Sequence, residues 1–129
     1  MNEETFSISN TTKGKLPRLP FELMKEKVLG KEYELSLVFI GKKRAQTLNK
    51  TYLQKEYEPN ILSFPLSKNS GEIFISLEIA EKQAPDYNLP FEKFVGFLFI
   101  HGLFHLKGME HSSTMEKSEK KVRVLFDIK

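Results

Sequence analysis

Apolar and polar positions along this chain switch between two periods, and each switch marks an element. Thr5 to Ser9 alternates (Thr-Phe-Ser-Ile-Ser), which predicts a short strand with Phe6 and Ile8 toward the core. Asn10 to Pro20 carries a glycine and two prolines and reads as a loop. Phe21, Met24 and Val28 then recur at helical spacing, with Gly30 closing the helix. Tyr33 to Ile40 returns to period two, placing Tyr33, Leu35, Leu37 and Phe39 on one face. Val38 and Ile40 on the other face predict a central strand covered on both sides. A basic turn, Gly41-Lys-Lys-Arg44, leads into a helix carrying Ala45, Leu48 and Tyr52. Asn60 to Leu66 is an apolar strand ended by Pro65, and Ile73 to Ser76 is another, entered through Asn69-Ser-Gly71. Ser76 can cap a helix from Leu77 to Ala84, with Glu78 in its first turn.

After a break over Pro85–Pro90, Phe91 to Lys107 is apolar almost all round. A helix of that kind belongs in the middle of a domain, packed on a sheet and on other helices. Its aromatic residues are read as core rather than as a stacking surface for bases. Ser112 or Ser113 can cap a last helix running to about Phe126, with Met115, Val122, Leu125 and Phe126 on one side. Lys117, Lys120, Lys121 and Arg123 lie mostly on the other side, a solvated face, and Glu116 and Glu119 are read as surface residues. The order β-α-β-α-β-β-α-α-α predicts a small α+β domain over residues 1–129, a mixed sheet of about four strands packed with about five helices.

Composition narrows the function classes. At 129 residues the chain suits one domain with a sizeable core. It has no cysteine, which excludes disulfides and thiolate metal sites and fits a reducing compartment. Met1 to Ser9 is polar and acidic, and the apolar run Phe94–Ile100 is too short to span a bilayer. A cytoplasmic protein with no membrane partner is expected, and a monomer. Lys plus Arg number 20 against 17 Asp plus Glu, a net charge of +3 that is compatible with a nucleic-acid partner without requiring one.

All three histidines lie in His101-Gly-Leu-Phe-His105-Leu-Lys-Gly108-Met-Glu-His111, spaced H-x3-H-x5-H. Residues four apart share a helix face, so His101 and His105 point two imidazoles at one spot. Gly108 can take the left-handed conformation that ends a helix and returns the chain toward the first two ligands with His111. One histidine on an apolar helix is usually just a packed residue. The whole supply within eleven residues predicts a metal site of three histidines, one zinc ion per chain, with a position open for water. The metalloprotease pattern H-E-x-x-H-x-x-G-x-x-H has this spacing, with its glutamate as general base. Gly102 stands in that place, so the site matches a protease in spacing but not in mechanism. Three neutral ligands leave the ion strongly electropositive, which activates water near neutral pH and suits an anionic phosphodiester. The ribose 2′-hydroxyl of RNA would add an internal nucleophile.

These residues resemble a known family. The histidine segment is similar to the H-G-x-L-H-L-x-G-Y-D-H signature of the YbeY family, bacterial zinc endoribonucleases of ribosomal RNA maturation. Leu48-Asn49 with Tyr52, Lys55-Glu56 and Ile61-Leu62-Ser63-Phe64-Pro65 resemble its L-N-x-x-Y-R-x-K-D-x-P-T-D-V-L-S-F-P block, and Gly71–Ser76 its G-D-I-x-I-S strand. The likeness runs from about Val38 to Glu119. It implies that His101, His105 and His111 bind zinc and carry catalysis. It also implies a zincin-like site in an α+β fold, and cleavage of single-stranded RNA in 16S ribosomal RNA 3′-end maturation and ribosome quality control. The small ribosomal subunit and its assembly factors are the implied partners.

The chain departs from that pattern at Leu53, where the family has an arginine that holds the RNA phosphate; at Asn60, where it has aspartate; and at Met109-Glu110, where it has Tyr-Asp. Lys55, Arg44 or a lysine of the last helix are the candidate replacements for the phosphate clamp. Ser63 is a further candidate substrate contact, although capping a backbone is its commoner role. Glu110 could support a ligating histidine. Two other functions remain open: a metal-dependent hydrolase of peptides or small metabolites, and a non-catalytic, metal-stabilised ribosome assembly factor.

Overall fold

Strand β2 (Glu34–Ile40) organises the sheet because Leu35, Leu37 and Phe39 make one side-chain row fully apolar and Val38 and Ile40 make the end of the other apolar as well. In the computed structural model, which describes residues 5–109 and 112–129, it lies between β1 (Phe6–Asn10) and β4 (Ser70–Ser76), parallel to both. The fourth strand, β3 (Ile61–Ser67), pairs antiparallel with β4, giving the order β1-β2-β4-β3. Leu35, Leu37 and Phe39 of β2 join Ile73 and Ile75 of β4 on one face, while Ile40 and Phe74 face the other way. Two expected details are corrected. Ile8 is 39% exposed, because β1 is an edge strand and only Phe6 is reached by the core. Strand β3 runs through Pro65, opposite Gly71, with an irregularity before Ser67; an edge strand tolerates the missing N–H.

Helix α1 (Phe21–Leu29) and helix α2 (Lys42–Leu53) follow β1 and β2, and α3 (Leu77–Gln83) continues into a 3₁₀ turn over Ala84–Tyr87. Helix α4 (Phe91–Leu106) is the core element. Phe94, Val95, Phe99, Ile100 and Leu103 are all 0% exposed, and the helix packs on α1, α3, β3, β4 and α5 (Ser113–Leu125). Helix α2 covers the opposite face, where Ala45 meets Ile40, Leu62 and Phe74. This is an α+β fold with a four-stranded mixed sheet, as the periodicity predicts. Among the described residues no single helix is long and apolar enough to cross a membrane.

The two ends of the α4–α5 pair are fixed by backbone chemistry. Gly108 adopts φ 95°, and Gly108 N–H and Met109 N–H donate to His105 O at 3.0 Å and Phe104 O at 3.1 Å. That is a Schellman close, with Met109 packed back on the core. Ser112 then caps α5, its Oγ accepting from Met115 N–H at 3.2 Å. At the far end of α5, Ile128 N–H donates to Arg123 O and Asp127 N–H to Val124 O, turning buried Ile128 onto α4. A Cβ at Gly96 would lie 2.5 Å from Ile128 Cδ1, so Ile128 seats directly against the helix backbone there and would have to move for any side chain. Met115 and Val122 are buried as expected, but Leu125 is 61% exposed, since the chain turns inward only after it.

Candidate active site

His101 and His105 occupy successive turns of α4 and meet edge to face, ring centroids 4.5 Å apart at 89°, with their Nε2 atoms 3.0 Å apart. On its other side His101 Nδ1 lies 2.9 Å from Glu119 Oε1 of α5. A carboxylate only accepts, so the imidazole donates from Nδ1 and keeps the lone pair of Nε2 pointed at His105. Glu119 is 5% exposed, which corrects its expected surface position. It sits four residues after Met115 and three before Val122, both buried, so it shares their inward face. This spacing is present in the sequence, where it outweighs the charge of the side chain.

The implied zinc ion can be tested against this donor set. Two imidazole nitrogens on one tetrahedral zinc stand about 3.3 Å apart at ordinary bond lengths, close to the observed 3.0 Å. The carboxylate on the remote nitrogen of a ligating histidine is the usual supporting contact, which fixes the tautomer and raises ligand basicity. The residues therefore fit the ion. The third expected ligand, His111, and its neighbour Glu110 lie outside the described residues. Among the described residues no group of three metal-binding side chains comes together.

Gly102 explains why the protease glutamate is missing. It is buried where α4 crosses β3 and β4, and a Cβ there would lie 2.8 Å from Ile61 Cδ1, 2.9 Å from Ser63 Oγ and 3.2 Å from Ile73 Cδ1. A side chain here would require Ile61 and Ser63 to shift, and a carboxylate at this position would point into the sheet. Ser63, one of the expected substrate contacts, is thus packed beneath α4 and pairs with Ile73 in the sheet.

Beside His101 opens a cleft of about 610 Å³ between α4, α5, the 3₁₀ turn and the start of β3. Asn60 reaches it from just before β3, Ile61 from the first residue of β3, Tyr87 from the turn, and Lys120 and Arg123 from α5. Arg44 and Lys55 do not line it. Arg44 is exposed on α2, across the sheet from α4, and the Lys55 ammonium lies 6.0 Å from the Tyr57 ring centre. Leu53 is 44% exposed at the end of α2 and is not part of the cleft.

The model of the family described as Endoribonuclease YbeY matches residues 2–125. The curated Endoribonuclease YbeY of Alkaliphilus metalliredigens is 41% identical over 103 residues, covering 71% of this chain and 66% of that protein. The one from Alkaliphilus oremlandii is 40% identical over 112 residues, 75% and 74% of the two chains, and the one from Staphylococcus aureus JH9 is 31% identical over 109, 74% and 70%. The chain thus spans about two thirds to three quarters of the length of these relatives. The solution structure of TM1509 from Thermotoga maritima superposes with a TM-score of 0.66 at 26% identity, covering 92% of this chain and 86% of that one. The chain belongs to the Endoribonuclease YbeY family, whose enzyme class is that of hydrolases acting on RNA.

Proposed function

We propose that this chain is a metal-dependent endoribonuclease that cleaves single-stranded RNA in the 3′-end maturation of small-subunit ribosomal RNA. It works in the cytoplasm as a single-domain monomer beside the small ribosomal subunit and its assembly factors. One observation carries the reading: two Nε2 atoms converge at 3.0 Å, and His101 is held by a buried carboxylate. His101, His105 and His111 would hold the ion, zinc by donor chemistry. When bound, zinc supplies an activated water and a Lewis acid for the phosphodiester.

The chain's own residues do the rest. Glu119 holds the ring of His101 in one tautomer and one orientation, so no reorganisation is needed when charge develops on the substrate. The Schellman turn at Gly108 ends α4 three residues after His105. The peptidase alternative loses support at Gly102, which carries no base and packs tightly against Ile61 and Ser63. The test is cleavage of a labelled single-stranded RNA by the zinc-loaded wild type beside His105→Ala prepared identically. Cleavage by the wild type alone is expected. Equal cleavage by both would expose a contaminant, and no cleavage by a metal-loaded wild type would leave the assembly-factor alternative standing.

A further inference from the structure

Arg123 is built differently from a solvated cation. Its guanidinium carbon stands 4.8 Å from the centre of the Phe97 ring, and Phe97 in turn packs against Tyr87, ring centres 5.5 Å apart. Its Nε is enclosed and, among the described residues, hydrogen-bonded to nothing. An enclosed donor without a partner is costly and rare, and sets this side chain apart from an ordinary surface cation. The side chain lines the cleft beside His101, together with exposed Lys117 and Lys120 one turn or so earlier on α5. Two carboxylates also line it. Glu119 is engaged by His101, which leaves Glu116 as the carboxylate on the open face against Lys117, Lys120 and Arg123. Tyr87 is 50% exposed at the same cleft, an aromatic surface of the kind on which unpaired bases stack.

We propose that Arg123 and Lys120 form the phosphodiester anchor of this enzyme, seating a single-stranded RNA phosphate in the cleft beside His101 and replacing the arginine that Leu53 lacks. Arginine suits the role because its planar fork grips a phosphate through two hydrogen bonds while its face rests on Phe97. The anchor rests on the nuclease reading above, and it moves the phosphate contact from the end of α2 to α5.

The test is fluorescence anisotropy of a labelled oligouridylate of about 12 nucleotides, within the span of one single-strand site. It uses full-length zinc-loaded protein across a salt series. On a single strand, removing one cation from a phosphate lowers the slope of log affinity against log salt by about 0.7. The double variant Lys120→Ala/Arg123→Met, which keeps an apolar stem over Phe97, is expected to bind at least about 10-fold more weakly, with the slope reduced by about 1.4. Lys120→Ala alone, on an exposed side chain, is expected to reduce the slope by about 0.7 without changing the melting temperature. Unchanged slopes in both, with a wild type that binds, would overturn the anchor and leave the nuclease reading intact. A drop seen instead in Arg44→Ala or Lys55→Ala would place the anchor on the α2 side and overturn it equally. A wild type that neither binds nor cleaves would overturn the nuclease reading and the anchor with it.

Discussion

Three buried polar side chains carry consequences at the scale of single residues. Tyr33 Oη is enclosed without a partner among the described residues, and burial holds its hydroxyl pKa above the ordinary 10.0. Removing an unpaired hydroxyl removes its desolvation cost, so Tyr33→Phe is expected to stabilise by about 1 kcal/mol, read from urea unfolding midpoints. Lys25 is 0% exposed beside Met24 and Val28, its ammonium donating to Lys31 O at 2.9 Å. Burial lowers its pKa from 10.5, against the opposing fields of Glu26 and Glu22. The folded chain therefore releases this proton at lower pH than the unfolded chain does. Between the folded pKa and 10.5 the unfolded state binds more protons, and stability rises with pH across that window. Lys25→Met is expected to flatten this rise in denaturation curves taken up to alkaline pH; an unaltered slope would assign it to another group. Glu119→Gln keeps the shape but not the charge, and an affinity loss of about 10–100-fold for zinc is expected in competition with a chromophoric chelator. Equal affinity would make Glu119 a packing residue only.

At the scale of elements, caps decide where helices stop and thus where the site residues stand. Ser112 Oγ is the N-terminal cap of α5, the helix that carries Glu119 and Arg123. Ser112→Ala is expected to cost about 1 kcal/mol and to lower the melting temperature by about 4 °C, measured calorimetrically. The end of α2 shows the opposite opportunity. Gln54 is held at φ 57°, a left-handed conformation that a side chain disfavours. Gln54→Gly is expected to stabilise by about 1 kcal/mol without altering RNA binding, since that residue lies outside the cleft. The elements themselves were largely legible. The all-apolar Phe91–Leu106, the glycine at its end and the serine before α5 each act locally, through propensity, φ freedom and a side chain reaching its own backbone. Edge behaviour was not legible: exposure of Ile8 and continuation through Pro65 depend on which strands have neighbours.

At the scale of the whole molecule, the site exists because one helix lies unusually close to the sheet. Gly102 permits that approach, so Gly102→Glu is expected to destabilise the chain by several kcal/mol through overpacking and to confer no peptidase activity. A stable variant that cleaves peptides would break this account. What the sequence determined by itself is whatever follows from spacing along one chain: the element order, the two covered faces of β2, and two imidazoles brought together by a helical interval of four. What only the tertiary structure decided is whatever needs two elements to cross. The carboxylate behind His101 and the cation resting on Phe97 come from α5, 18 or more residues away, and depend on how that helix lies over α4. The exclusion of a base at Gly102 depends in the same way on the distance between α4 and β3. Periodicity fixes which face a residue occupies, because backbone geometry is local. It is the packing of faces against one another that sets depth, partner and electrostatic surroundings, and these turned a nominal surface glutamate into the support of a histidine.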